Sequence, residues 1–225
     1  MDSGTTCAAM RAAIAHEMHA TFLARPISEE AGSALHIHQS VVDGDGANIF
    51  SDADGGMSDR FLHYIGGLQR YMPEALLIFA PYANSYRRFL SYWASPVNLG
   101  WAVDNRTVGL RVPDAAPDAR RVENRLAGSD VNPYLALAAT LACGYLGMVE
   151  GIKPAEPIKG SAYDLPFSLH RSLYEAIDAF EASDAMRTTL GHKFVDLYAE
   201  VKKKECHEFQ EIVTPWEREV LMFNV

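Results

Sequence analysis

The spacing of apolar positions changes several times along the chain, and each change marks an element. Met10, Ile14 and Met18 recur every fourth residue in AAMRAAIAHEMHA, which predicts a first helix. Two short apolar runs follow: ATFLARP, stopped by Pro26, and SALHIHQSVVD, bounded by Gly32 and the turn cluster Asp43-Gly44-Asp45-Gly46. Both read as strands. Residues 51–58 are Asp/Gly-rich and read as a loop. Over 58–72, Phe61, Leu62, Ile65, Leu68 and Tyr71 return at helical spacing, with Ser58 as N-cap and Pro73 just past the end. Residues 75–80 are a short apolar stretch, and 81–95 a polar-aromatic loop rich in Tyr and Arg. Strands are predicted at 97–103, 107–112 and 121–126, with the loop PDAAPDA before the last.

Asp130 is placed as the cap of a small-residue helix, with Pro133 in its first turn, where proline is tolerated. The stretch 133–149 approaches a membrane span, but it is short, rich in Ala and Gly, and contains Thr140 and two tyrosines. A buried core helix is the better reading. Residues 153–166 form a Pro/Gly-rich connection. Two amphipathic helices close the chain at 168–182 and 188–212, the second carrying Lys202-Lys203-Lys204 as a solvated face. The outline is α+β, and 225 residues suffice for one large domain or two small ones.

Composition narrows the function. With 48% hydrophobic and 22% charged residues the chain is an ordinary globular one, not disordered or fibrous. Its 20 Lys+Arg against 29 Asp+Glu give a charge of −9, which argues against a nucleic-acid binder. Cys7, Cys143 and Cys206 are far apart and odd in number, so no disulfide framework is expected. No secretory signal or membrane span is read, and a cytoplasmic location is expected.

Against this acidic background some residues stand out. On a strand, His36, His38 and Ser40 share one face, and paired imidazoles suit a divalent metal or an anion as well as a hydrogen-bonded surface pair. Arg121, Glu123 and Arg125 likewise share a face. They read either as a surface ion ladder or as a site in which Glu123 holds a metal and the arginines grip an anion. Arg87, Arg88, Arg106 and Arg111 add further cations. Together they fit a polyanion with divalent cations, nucleotide phosphates being the obvious candidate, although no P-loop is present. The residue pattern alone stops at an anion and metal site.

The segments GSALHIHQS, NSYRR, SPVNLGWAVDNRTVGLRVP and RRVENRLAGSDVNPYLALAATLACGYLG, in this order, resemble the ATP-dependent glutamate–amine ligases of the glutamine synthetase family. The resemblance runs from about Ala20 to TPWERE and is nearest the γ-glutamylpolyamine (γ-glutamylputrescine) synthetase branch. It implies a curved antiparallel sheet carrying the active site with helices packed outside. It also implies a two-step ligation through γ-glutamyl phosphate, using ATP, Mg²⁺ or Mn²⁺, glutamate and an amine (a polyamine or ammonia). By motif, His36 and Glu123 match metal ligands, and His38, Ser40, Arg111 and Arg121 match ATP-phosphate contacts. Arg106 matches a catalytic residue near both ATP and glutamate, while Gly32, Arg88 and Arg125 match glutamate contacts.

Two departures from the family pattern shape the expectation. Where ammonia-using members carry a glutamate, this chain has Ala94 in FLSYWASPV, beside Tyr92 and Trp93. That favours a bulkier amine, and Ala94→Glu is expected to shift preference towards ammonia. No E-x-E precedes His36, so residues 1–225 read as the C-terminal portion of the catalytic domain, without the N-terminal β-rich domain. Family active sites lie between subunits of a ring; the missing parts put ring assembly by this chain alone in doubt and predict no turnover by it. Ammonia-using glutamine synthetase and a non-catalytic nucleotide- or subunit-binding half-domain are the alternatives.

Overall fold

Ser58 begins the helix that organises the domain: its hydroxyl accepts from the Phe61 amide at 3.1 Å, capping α2 (Asp59–Tyr71) as predicted. The computed structural model describes residues 3–90 and 94–224. In chain order the elements are α1 (Ser3–Ala15), β1 (Ile37–Gln39), α2, α3 (Leu76–Phe79), α4 (Ala83–Tyr86), β2 (Trp101–Val103), β3 (Leu110–Val112) and β4 (Val122–Asn124). Then come α5 (Pro133–Glu150), α6 (Leu173–Glu181), α7 (Asp184–Leu190) and α8 (His192–Gln210). The α2 face predicted from spacing is the buried one, with Phe61, Ile65 and Leu68 inside and Phe61 against Phe50 at 4.7 Å between ring centroids.

Helices α2 and α5 cross at glycine. A Cβ on Gly67 would strike the Cys143 carbonyl and the Gly147 backbone, and one on Gly147 would strike the His63 carbonyl, so only glycine permits this approach. Helix α5 is long and apolar enough to cross a membrane by length and composition; Ala136, Ala139, Cys143 and Gly147 pack inward while Tyr134, Leu137, Leu141, Tyr145 and Val149 are exposed, so the core-helix reading holds for one face only.

The α+β class stands, with a four-stranded sheet in the order β1-β4-β3-β2. Pairs β1–β4 and β3–β4 are antiparallel, whereas β2 and β3 run parallel, so the sheet is mixed at one edge. A three-residue strand spans only about 7–10 Å. Residues 104–109 are therefore long enough to carry the chain back beside the start of β2. The core face of the sheet meets the helices through Tyr64, which donates to Gln39, and through Asn124, which donates to Thr140 at 3.1 Å.

Several predicted elements move. Helix α1 ends at Ala15, because Glu17 turns left-handed (φ 55°) and Met18 N returns to Ala13 O at 2.8 Å; Met18 lies past the helix. ATFLARP forms no strand. Its backbone groups are satisfied instead by Ser33 N on Ala24 O and by reciprocal bonds, each 2.9 Å, between the Asn84 amide and Arg25. Of SALHIHQSVVD only Ile37–Gln39 is strand, flanked by isolated bridges at Ala34 and Val42. The cap of α5 is Asn132, not Asp130, which lies further out and accepts from Ser85 Oγ at 2.6 Å. Gly191 (φ 98°) divides the last predicted helix into α7 and α8. Lys202 is buried, its Nζ 4.0 Å above the Tyr82 ring and 2.7 Å from Glu205, so the lysine run is not uniformly a solvated face. A lysine stem lies readily on apolar surface.

Candidate active site

Alternation along β1 and β4 sorts side chains to the two faces of the sheet. Ile37 and Gln39 point to the core, while His36, His38 and Ser40 are exposed on the other side. His38 stands opposite Glu123 in the β1–β4 register. Glu123 is only 2% exposed and is the hub: it accepts from Arg111 Nη1 at 2.7 Å, from Arg125 Nη1 at 2.7 Å and from His36 Nδ1 at 2.9 Å. Burial alone would raise its pKa. The hydrogen bonds from His36 and Arg111 and the charge and hydrogen bond of Arg125 outweigh that, so its carboxyl is held well below the ordinary range. Arg111 reaches on to Asp104 Oδ1 at 2.5 Å.

Arg121 lies just before β4 and donates through Nε to His38 Nδ1 at 3.3 Å. His38 is lowered from its ordinary value first by burial, then by Arg121, His36 and Arg111, with Glu123 opposing. A neutral imidazole that accepts from Arg121 follows.

Arg88, just past α4, is 3% exposed. It donates to Ser95 Oγ at 3.1 Å and to the Leu126 carbonyl, and among the described residues its Nε has no partner. Among the described residues no carboxylate lies within ion-pair distance of it. Burial pulls its pKa down to about 10, with Asp130 opposing and Arg125 adding to the fall. Gly32 abuts it: a Cβ there would stand 2.6 Å from Arg88 Cγ. The structure therefore joins His36, His38, Arg111, Arg121, Glu123 and Arg125 in one network, with Gly32 and Arg88 as a second contact. Arg106 is exposed in the β2–β3 loop and is not drawn into the network. Ser40 lies on the same face as the histidines. Ala94 is exposed at φ 58°, and its neighbours Tyr92 and Trp93 fall outside the described residues.

Sequence reading missed Asp104 and Arg25. Asp104 gave only the weak signal of an acid close in sequence to Arg106 and Arg111. Arg25 gave no signal, because its bonds go to the carbonyls of Arg87, at 2.9 Å, and Ser28. A cavity of about 680 Å³ between α2, α5 and α7 is a different matter. Tyr71 donates to Glu150 at 2.6 Å, and Ser183 and Arg70 to Glu74; with Asp184 also in the lining, three acids face one arginine, so the cavity does not suit an anion.

Metal-donor chemistry fits only in part. Among the described residues no group of three or more His, Cys, Asp or Glu side chains could hold a metal ion. His36 and Glu123 offer two donors, whereas structural and catalytic cations take about four to eight. These residues alone do not make a metal site.

The model of the glutamine synthetase catalytic domain matches residues 6–221. This chain belongs to that family. Among glutamine synthetase-family relatives, it is 37% identical over 212 residues to gamma-glutamylputrescine synthetase of Escherichia coli (strain K12), covering 93% of this chain and 44% of that protein. It is 38% identical to glutamate–isopropylamine ligase of a Pseudomonas species, over 90% of this chain and 45% of the relative. It is 34% identical to glutamine synthetase of Halobacterium salinarum, over 90% and 47%. The ligand-free structure of GmaS superposes with a TM-score of 0.87 at 29% identity, covering 97% of this chain and 52% of that one. The chain spans about half the length of the relatives it matches.

Proposed function

We propose that this chain carries the anion-binding face of an ATP-dependent glutamate–amine ligase. The observation that supports this most is a buried cation: Arg88, with no carboxylate at ion-pair distance among the described residues, near Arg125, which shares Glu123 with the half-buried Arg111. Burying a guanidinium without an anionic partner is costly, and a ligand anion removes that cost. In this reading Arg88, Arg125 and Gly32 receive the carboxylates of glutamate, and His38, Ser40, Arg111 and Arg121 face the nucleotide phosphates. Arg106, free in its loop, turns towards the transferred phosphoryl group. His36 and Glu123 would supply only two of the donors a divalent cation needs, and such a cation would neutralise phosphate charge.

The reaction in this reading is the one the family resemblance implies. The γ-carboxylate of glutamate attacks the γ-phosphorus of ATP, the bond to ADP breaks, and an amine then displaces phosphate from the acyl phosphate to leave an amide. The arginines work by holding both anions in line and by balancing charge as it moves. Relatives named for putrescine and isopropylamine, with Ala94 in place of an acid, favour an alkylamine or polyamine over ammonia.

Calorimetric titration of the chain with ATP in Mg²⁺, and separately with glutamate, tests this. Binding is expected, with ATP affinity about tenfold weaker in Arg121→Ala and the glutamate signal lost in Arg88→Ala. Absence of both signals in the native chain contradicts the proposal. Because His36 and Glu123 alone meet as metal donors among the described residues, a non-catalytic nucleotide-binding role is the second reading. Amine-dependent phosphate release separates the two, and in any turnover-competent form Ala94→Glu moves preference towards ammonia.

A further inference from the structure

The chain of contacts through Arg111 does not end at Glu123. Arg111 Nη1 lies 2.7 Å from Glu123 Oε2, and its Nη2 lies 2.5 Å from Asp104 Oδ1. Asp104 closes β2 with its backbone in the left-handed region (φ 46°), a conformation that costs energy for any residue with a side chain and least for Asp and Asn. Its amide donates to Val112 O at 3.0 Å, so the turn folds back onto β3 beside Arg111. The same Oδ1 accepts from the Asp114 amide at 3.3 Å. Backbone strain held at a charged site is a mark of a constrained geometry.

We infer that Asp104 is a positioning residue: it holds the Arg111 guanidinium at its outer end while Glu123 holds it at the inner end. Each Nη spends one hydrogen on a carboxylate and keeps its other hydrogen for a ligand. A guanidinium pinned at two corners presents those remaining donors in a fixed plane, so an anion reaching the sheet face meets a preorganised partner rather than a mobile side chain. This inference rests on the Asp104–Arg111–Glu123 geometry and is independent of the proposed reaction.

The test is nitrogen-15 NMR of the arginine side chains in the native chain, Asp104→Gly and Asp104→Asn. Glycine keeps the left-handed backbone and removes the carboxylate; asparagine keeps the backbone, the Asp114 cap and a neutral acceptor. Rotation of the Arg111 guanidinium is expected to be slow in the native chain. It should quicken by about tenfold, equivalent to about 1.4 kcal/mol off the barrier, in Asp104→Gly. Asp104→Asn should recover part of that loss, while Arg125 stays unchanged in both variants. Freely rotating Arg111 in the native chain, unchanged Arg111 in Asp104→Gly, or an equal change in Arg111 and Arg125 would each overturn the inference. Should Asp104→Gly fail to fold, Asp104→Asn decides alone: selective quickening of Arg111 supports positioning, and no change refutes it.

Discussion

The two faces of β4 treat buried polarity in opposite ways. On the core side, Asn124 is fully buried, donates to Thr140 and accepts from the Leu126 amide at 2.9 Å, so its neutral groups are consumed by the fold. On the other side Glu123 is almost as buried but is charged, and it gathers two guanidiniums and an imidazole around one carboxylate. The first arrangement closes its account within the chain. With Asp104 on Arg111 the second is balanced at its centre, and the surplus rests on Arg121 and the nearby Arg88, which have no carboxylate partner among the described residues and are capacity for an anionic ligand. One strand of alternating residues thus both seals a core and opens a site.

The comparison can be broken most severely at Glu123. Glu123→Gln leaves Arg111 and Arg125 facing a neutral amide, and a loss of about 3–5 kcal/mol is expected in urea unfolding. A loss below about 1 kcal/mol, in the range of exposed pairs, would show the network to be an ordinary surface ladder. On the core side Asn124→Ala strands the Leu126 amide and leaves the Thr140 hydroxyl only its bond to the Ala136 carbonyl, with an expected cost of about 1–3 kcal/mol by the same measurement. Lys202→Met keeps the buried stem and removes the charge over Tyr82, costing about 1–2 kcal/mol. Lys204→Met, on the exposed part of the same run, should stay within about 0.5 kcal/mol. Arg121→Ala sharpens the contrast from the other side. Stability should change by less than about 0.5 kcal/mol, while ATP affinity falls by about tenfold, as loss of a charge-assisted hydrogen bond implies.

The legible part of the site was the part written in strand parity. His36 with His38, and Arg121 with Glu123 and Arg125, could be grouped from the sequence because alternate residues share a face whatever the strand length. The cap at Ser58 and the α2 stripe were legible for the same local reason. Strand extents were not: ATFLARP forms no strand because the Asn84 side-chain amide takes up the backbone of Arg25, and no apolar pattern records that exchange. Asp104 stayed hidden because its role depends on a left-handed turn that brings β3 alongside β2 in parallel. Lys202 was misread because three consecutive lysines carry no period, and only the packing of α8 against Tyr82 decides which one is inside. Arg88 was found through its motif; its burial without an acid could be seen only in three dimensions.

The central claim is that the outward face of the sheet, centred on Glu123, is where a nucleotide meets this chain. The most direct measurement is a chemical-shift titration of the labelled chain with ATP and Mg²⁺. The account predicts the largest changes at His38, Arg111 and Arg121, with smaller ones at His36 and Glu123. Changes confined to the cavity lined by Arg70, Glu74 and Glu150, or no changes at all, would contradict it.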